Sequence, residues 1–179
     1  MADLREALPR VRRLPGAHRP QHPGLPLRAA LGRRYPALEP ARDYFEILAL
    51  LARYSTALDT RDWRLMDEVF TEDLVYDAGE WTTRSLAEYL GRLRPYLEGC
   101  GPTQHLLGNY RVELAGDTGR SAVYVRAFHR GTRELSDTTY EMMGEYRDEL
   151  VRTRAGWRSR HRTLRLHAET GTRAVLRPA

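Results

Sequence analysis

The chain has 179 residues, 41% hydrophobic and 30% charged, which is enough for one ordinary globular domain with its own core. Its longest apolar stretch, near Ile47 to Ala52, falls far short of a membrane span, and no apolar secretory core follows the basic N-terminus. A single cysteine, Cys100, excludes an internal disulfide and gives no metal cluster, so a cytoplasmic location is expected, while the absence of lysine among the 29 basic residues excludes Schiff-base and P-loop lysine chemistry.

Residues 1 to 39 carry six prolines and no sustained periodicity. Eight arginines against three acids (Asp3, Glu6, Glu39) place the whole net charge of +5 there; the rest of the chain is neutral, 21 against 21. Such a segment reads as a flexible or partner-wrapping arm, with a short helix near Leu25 to Leu31. Aromatic interleaving for base stacking is missing, so nucleic-acid binding is not expected.

From Pro40 the pattern changes. Tyr44, Ile47, Leu48, Leu51, Tyr54 and Leu58 recur at helical spacing. A second short helix is predicted around Trp63, Met66 and Phe70, then a short strand in "DLVYDAG". A third helix in "SLAEYLGRLRPYLEG" is expected to stop at Pro95 or Gly99. After Gly101 the period switches to two, over about 103–114, 120–131, 136–150 and 156–168, with turn residues between. Three helices followed by four sequential strands predict an α+β fold, with the helices packed into a strongly curved antiparallel sheet. A sheet that curls around helices leaves a concave pocket for a small ligand.

The strand phases locate the histidines. Val123, Val125, Ala127 and His129 share one face of their strand. His105 is expected to share a face with Leu107 and Asn109, opposite Leu106, Tyr110, Val112 and Leu114. Two rings with reference pKa near ~6.5 can exchange protons at cellular pH, and burial keeps such a ring neutral as a base. Hydrogen-bonded structural histidines are the bland alternative. Asp59 ends the first long helix, where the macrodipole disfavours an anion, so it calls for a cationic partner such as an imidazolium, or else is a solvated acid or cap. Tyr54 lies five residues earlier, about 140° around the helix, so the two converge only at a pocket by the helix end.

The segment "LLARYSTALDTRDWRLMDEVFTEDLVYD", with "PTQHLLGN" and "VYVRAFH", resembles the SnoaL-like branch of the NTF2-like superfamily over residues 40 to 170. The resemblance is to scytalone dehydratase and bile-acid 7α-dehydratase relatives. It implies a cone-shaped α+β barrel, with residues 171–179 as a C-terminal tail. It also implies a metal-free and cofactor-free site in which Asp59, His105 and His129 match the acid/base set and Tyr54 matches the tyrosine of the bile-acid type. Leu58, Ala78, Gly144 and Tyr146 replace a tyrosine, a second tyrosine, a serine and an asparagine of the scytalone pattern, so a different substrate is expected.

The expected activity is a lyase of secondary metabolism that removes water β to a carbonyl on a cyclic polyketide-like or steroid-like molecule. Asp59 is expected to hold His129 in its working tautomer. Tyr54, Tyr76, Asn109 and Tyr146 are candidate oxyanion donors, and Tyr76, Asn109, Val125, Tyr140, Met142 and Tyr146 are candidate substrate contacts. An aldol cyclase or ketone isomerase would use the same base and oxyanion donors, and a non-catalytic small-ligand binder would leave the histidines structural. Asp59, His105 and His129 could in principle form a facial metal triad. A dimer or trimer is expected from the open cone, with a small hydrophobic or aromatic substrate and no membrane partner.

Overall fold

The computed structural model describes residues 39–176; the predicted arm, with its helix near Leu25 to Leu31, lies outside them. Helix α1 runs Glu39–Thr60, a 3₁₀ turn covers Trp63–Glu68, and strands β1 (Phe70–Asp77) and β2 (Thr82–Thr83) follow. Helix α2 spans Leu86–Glu98. Four long strands then succeed one another: β3 (Thr103–Ala115), β4 (Thr118–Arg130), β5 (Thr139–Thr153) and β6 (Gly156–Gly171). A last 3₁₀ turn covers Arg173–Leu176. No helix among these residues is long and apolar enough to cross a membrane.

The six strands form one sheet in the order β2-β1-β6-β5-β4-β3. β3 to β6 are consecutive antiparallel neighbours, as their period-two pattern and turn signals predict. β1, however, pairs with β6 in parallel, so the sheet is mixed rather than antiparallel. The chain crosses from β1 to the far edge through α2 and returns strand by strand, which brings β6 beside β1 in the same direction. The predicted second helix is the 3₁₀ turn, and Phe70 belongs to β1 instead. Its six residues are too few to nucleate a lasting α-helix. The predicted three helices are therefore two α-helices and this turn.

The apolar stripe of α1 is the spine of the core. Ile47, Leu50, Leu51, Tyr54 and Leu58 are buried, each worth roughly 1.5–3 kcal/mol on transfer from water. They pack with Val123, Val125, Ala127 and Leu150 of the sheet. Asp43 ties the start of α1 to the sheet, accepting from the Trp157 indole at 3.2 Å and pairing with Arg152. The N-terminus of α2 carries a capping arrangement: Ser85 Oγ accepts the Glu88 amide at 3.1 Å, and the Glu88 carboxylate accepts the Arg84 amide at 2.8 Å. Pro95 does not stop this helix; it sits in its last turn, and Gly99 is the C-cap.

Register shifts interrupt the long strands between Gly108 and Arg111, between Met143 and Gly144, and between Glu149 and Leu150. Bulges of this kind bend a strand and raise its twist. The first changes the phase of β3. Asn109 takes φ +54°, a left-handed conformation that asparagine tolerates, and is exposed. Before it, Thr103, His105 and Leu107 face the core side; after it, Tyr110, Val112 and Leu114 do, and the last three pack against the core. The expected pairing of Asn109 with His105 on one face therefore fails, as does the placing of Tyr110, Val112 and Leu114 opposite His105.

Candidate active site

Asp59 occupies the last turn of α1, directly against the start of β3. Its carboxylate takes three hydrogen bonds from that strand. His105 Nδ1–H donates to Oδ1 at 2.7 Å, the His105 backbone amide donates to Oδ2 at 2.9 Å, and the Thr103 hydroxyl donates to Oδ1 at 2.9 Å. Partial burial works against the charge, but these donors outweigh it and hold the Asp59 carboxyl below its ordinary range. The macrodipole conflict at this helix end is met by an imidazole, as the sequence suggested, and by an arginine that the sequence did not single out. Arg61 donates to the Leu58 carbonyl at the end of α1, to the Leu97 carbonyl of α2 at 2.9 Å, and to the Thr103 hydroxyl at 2.8 Å. One guanidinium thus closes both helix C-termini behind the dyad.

The partner of Asp59 is His105, not His129 as expected. His129 lies on β4, its ring centroid 5.4 Å from that of His105 and nearly perpendicular to it. Its Nδ1 is 3.3 Å from the Tyr140 carbonyl, which can only accept, so Nδ1 carries the proton and Nε2 keeps its lone pair. Burial, reinforced by His105 nearby, lowers the His129 pKa to about 4. His129 is therefore neutral at physiological pH. Neither ring's Nε2 has a hydrogen-bond partner among the described residues. The facial triad is not formed: Asp59 spends its oxygens on β3, and no group of three potential ligands converges among the described residues.

Both histidines line a cavity of about 970 Å³ together with Tyr54, Tyr76, Tyr140, Met142 and Tyr146. That volume suits a multi-ring small molecule. Of the predicted contacts, Asn109 faces away on the bulge, and Val125 is buried in the core row rather than in the cavity wall. Several wall residues were missed by the sequence reading: Tyr89, Leu93 and Tyr96 of α2, and Trp81. The spacing of Leu86, Tyr89, Leu93 and Tyr96 was their available signal, since it marks one face of α2.

The tyrosines form a connected group. Tyr54 and Tyr89 share a hydrogen bond of 2.7 Å between their hydroxyls, Tyr76 stacks on Tyr89 at 4.3 Å, and Tyr54 meets Tyr146 edge to face at 5.4 Å. Burial raises the phenol pKa of Tyr76, Tyr89 and Tyr146, so these remain O–H donors. Behind them lies Arg162, fully buried, with its guanidinium 4.2 Å from the Tyr54 ring centre and 4.8 Å from that of Tyr146. Asp148 pairs with it at 2.8 and 3.0 Å and also accepts from Ser159 at 2.6 Å. Burial opposes the Arg162 charge, but Asp148 prevails and keeps the guanidinium firmly protonated.

A bent mixed sheet packed on two helices, with the Asp59-held His105 and a second histidine on the wall of its hollow, has the NTF2-like fold. The SnoaL-like domain family matches residues 39–163, and the chain belongs to it. The uncharacterized protein Rv2910c of Mycobacterium tuberculosis H37Rv is 32% identical over 142 residues, covering 73% of this chain and 89% of that protein. The crystal structure of Kfla4162 from Kribbella flavida superposes with a TM-score of 0.72 at 24% identity, over 77% of this chain and 99% of that one. A candidate scytalone dehydratase from Novosphingobium aromaticivorans gives 0.66 at 22%, over 74% and 89%. At these identities the two structures establish the shared fold.

Proposed function

We propose that the chain is a cofactor-independent dehydratase acting on a cyclic polyketide-like or steroid-like molecule, with His105 as its base. The observation that carries the reading is the 2.7 Å contact of Asp59 with His105, whose ring lines an aromatic cavity. The likeness to a candidate scytalone dehydratase supports it.

The chemistry follows from the hydrogen bonds. Asp59 fixes the proton of His105 on Nδ1, which leaves the Nε2 lone pair for the substrate. That nitrogen removes the proton α to a carbonyl; the C–H electron pair becomes the enolate, and Asp59 stabilises the imidazolium. The tyrosine hydroxyls supply donors to the developing oxyanion. The enolate collapses with cleavage of the β-carbon–oxygen bond, and the imidazolium gives its proton to the departing hydroxyl, which leaves as water. Neutral His129 adds no charge beside the imidazolium, and its Nε2 accepts a hydrogen bond from the hydroxyl that leaves.

Incubation with a panel of cyclic β-hydroxy ketones, read by mass spectrometry for loss of one water, tests the reading. His105→Ala should abolish that loss while keeping the wild-type circular dichroism spectrum. Full turnover in the variant, or products of unchanged mass throughout the panel, would remove the proposal.

A further inference from the structure

We infer that the cavity takes a substrate bearing a carboxylate, which Arg92 binds at the mouth. The inference rests on the reading of the cavity as a substrate site, but not on which bond is broken there.

Arg92 is the outermost member of a continuous stack. Its guanidinium lies 4.6 Å from the Trp81 ring centre; Trp81 stacks on Tyr76 at 5.4 Å and 14°; Tyr76 stacks on Tyr89, which is wholly buried. Arg92 itself is exposed, so the stack runs from solvent to the cavity floor. A guanidinium seated over an indole without an acidic partner has N–H groups left to donate, and a guanidinium edge matches a carboxylate in two parallel hydrogen bonds.

Charge pairing in the wall points the same way. Neither Arg92 nor Arg165 of the lining has an acidic partner among the described residues. Of the lining acids, Glu80 pairs with Arg173, which also binds Glu169, while Asp77 accepts the Gly79 amide at 2.8 Å and pairs with neither Arg92 nor Arg165. The wall thus offers the unpaired Arg92 guanidinium at its exposed edge and aromatic surface inside. The ligand that complements both is a flat ring system with a carboxylate at one end. Holding that end at Arg92 directs the ring body inward along the stack.

The test uses anthracene-2-carboxylate and anthracene-2-carboxamide, matched in shape and differing in charge, with dissociation constants from fluorescence anisotropy. The wild-type protein should prefer the acid by roughly tenfold, the effect of one partly solvated charge-assisted contact. Arg92→Gln should remove the preference and leave amide binding unchanged, while Arg92→Lys should keep only part of it. Equal affinities in the wild type, an undiminished preference in Arg92→Gln, or no binding of either probe would overturn the inference. His105→Ala should retain the acid preference, which separates the two readings. Lost turnover with the preference intact bears only on catalysis; turnover without the preference bears only on Arg92.

Discussion

Asp59 holds His105 twice with one carboxylate, by the ring at 2.7 Å and by the backbone amide at 2.9 Å, across 46 positions of chain. The same contact therefore docks the end of α1 on β3 and selects the imidazole tautomer. Structural and chemical duties fall on one side chain, and substitution can part them.

Asp59→Asn removes the charge and keeps the shape. An amide group that donates to His105 Nδ1 would move the ring proton to Nε2, where the base must be empty. We expect kcat to fall by roughly 10²- to 10⁴-fold with KM changed little, since the ring stays in place but in the wrong tautomer. Steady-state kinetics on a converted substrate, with thermal melts as control, gives the answer. A proportional rise in KM alone would mean that Asp59 serves binding.

Acid should weaken the fold through His129. Its folded pKa of about 4 lies below the ordinary histidine value, so the unfolded chain binds more protons between the two. Stability is therefore full above about pH 6.5 and declines as pH falls toward 4, by up to about 3 kcal/mol from this group. Asp59 and Asp43 act lower: their depressed carboxyl pKa values give stability that is present above the unfolded carboxylate range and lost as pH falls through the folded values. Urea melts across this range should show the decline, and His129→Phe should flatten the upper part. An unchanged slope in that variant would assign the upper decline to other groups.

Removing one member of the buried Arg162–Asp148 pair should cost more than removing both. Arg162→Met leaves a buried carboxylate with only Ser159 and Ser121 as donors, and we expect a loss of about 3–5 kcal/mol. Asp148→Leu alone strands the guanidinium among Tyr54, Phe70 and Tyr146. The double variant should recover a substantial part. A denaturation cycle over the four proteins measures the coupling, and strict additivity would show that the pair is not a unit.

The sequence carried much of this site because the patterns that carried it are local. Helical spacing placed Tyr54 on the stripe of α1, and alternation placed His129 in the row of Val123, Val125 and Ala127, all of them buried. Alternation failed at Asn109 because one residue with positive φ shifts the phase of everything after it. The Gly108–Asn109 pair within a strand was the available warning. The parallel contact of β1 with β6 and the choice of His105 over His129 by Asp59 depend on how distant segments meet, and no local period encodes that. Trp81 and Arg92 were passed over for a similar reason: the stack exists only once the β1–β2 loop faces α2.

Gly144 tests whether a departure from the dehydratase pattern can be reversed. The resemblance puts a serine near this position, which invites Gly144→Ser as a repair. A Cβ here would stand 2.6 Å from the Arg165 carbonyl oxygen and 3.3 Å from Leu164 Cδ1, at the point where β5 and β6 lose register. Backbone cannot yield as a flexible side chain does, so the strand must shift. We expect Gly144→Ser and Gly144→Ala to destabilise equally, by about 1–3 kcal/mol, with the hydroxyl irrelevant to the loss. Urea denaturation of the two variants decides. A serine variant as stable as the wild type would mean that β6 adapts freely, and that the missing hydroxyl reflects the substrate rather than the packing of these two strands.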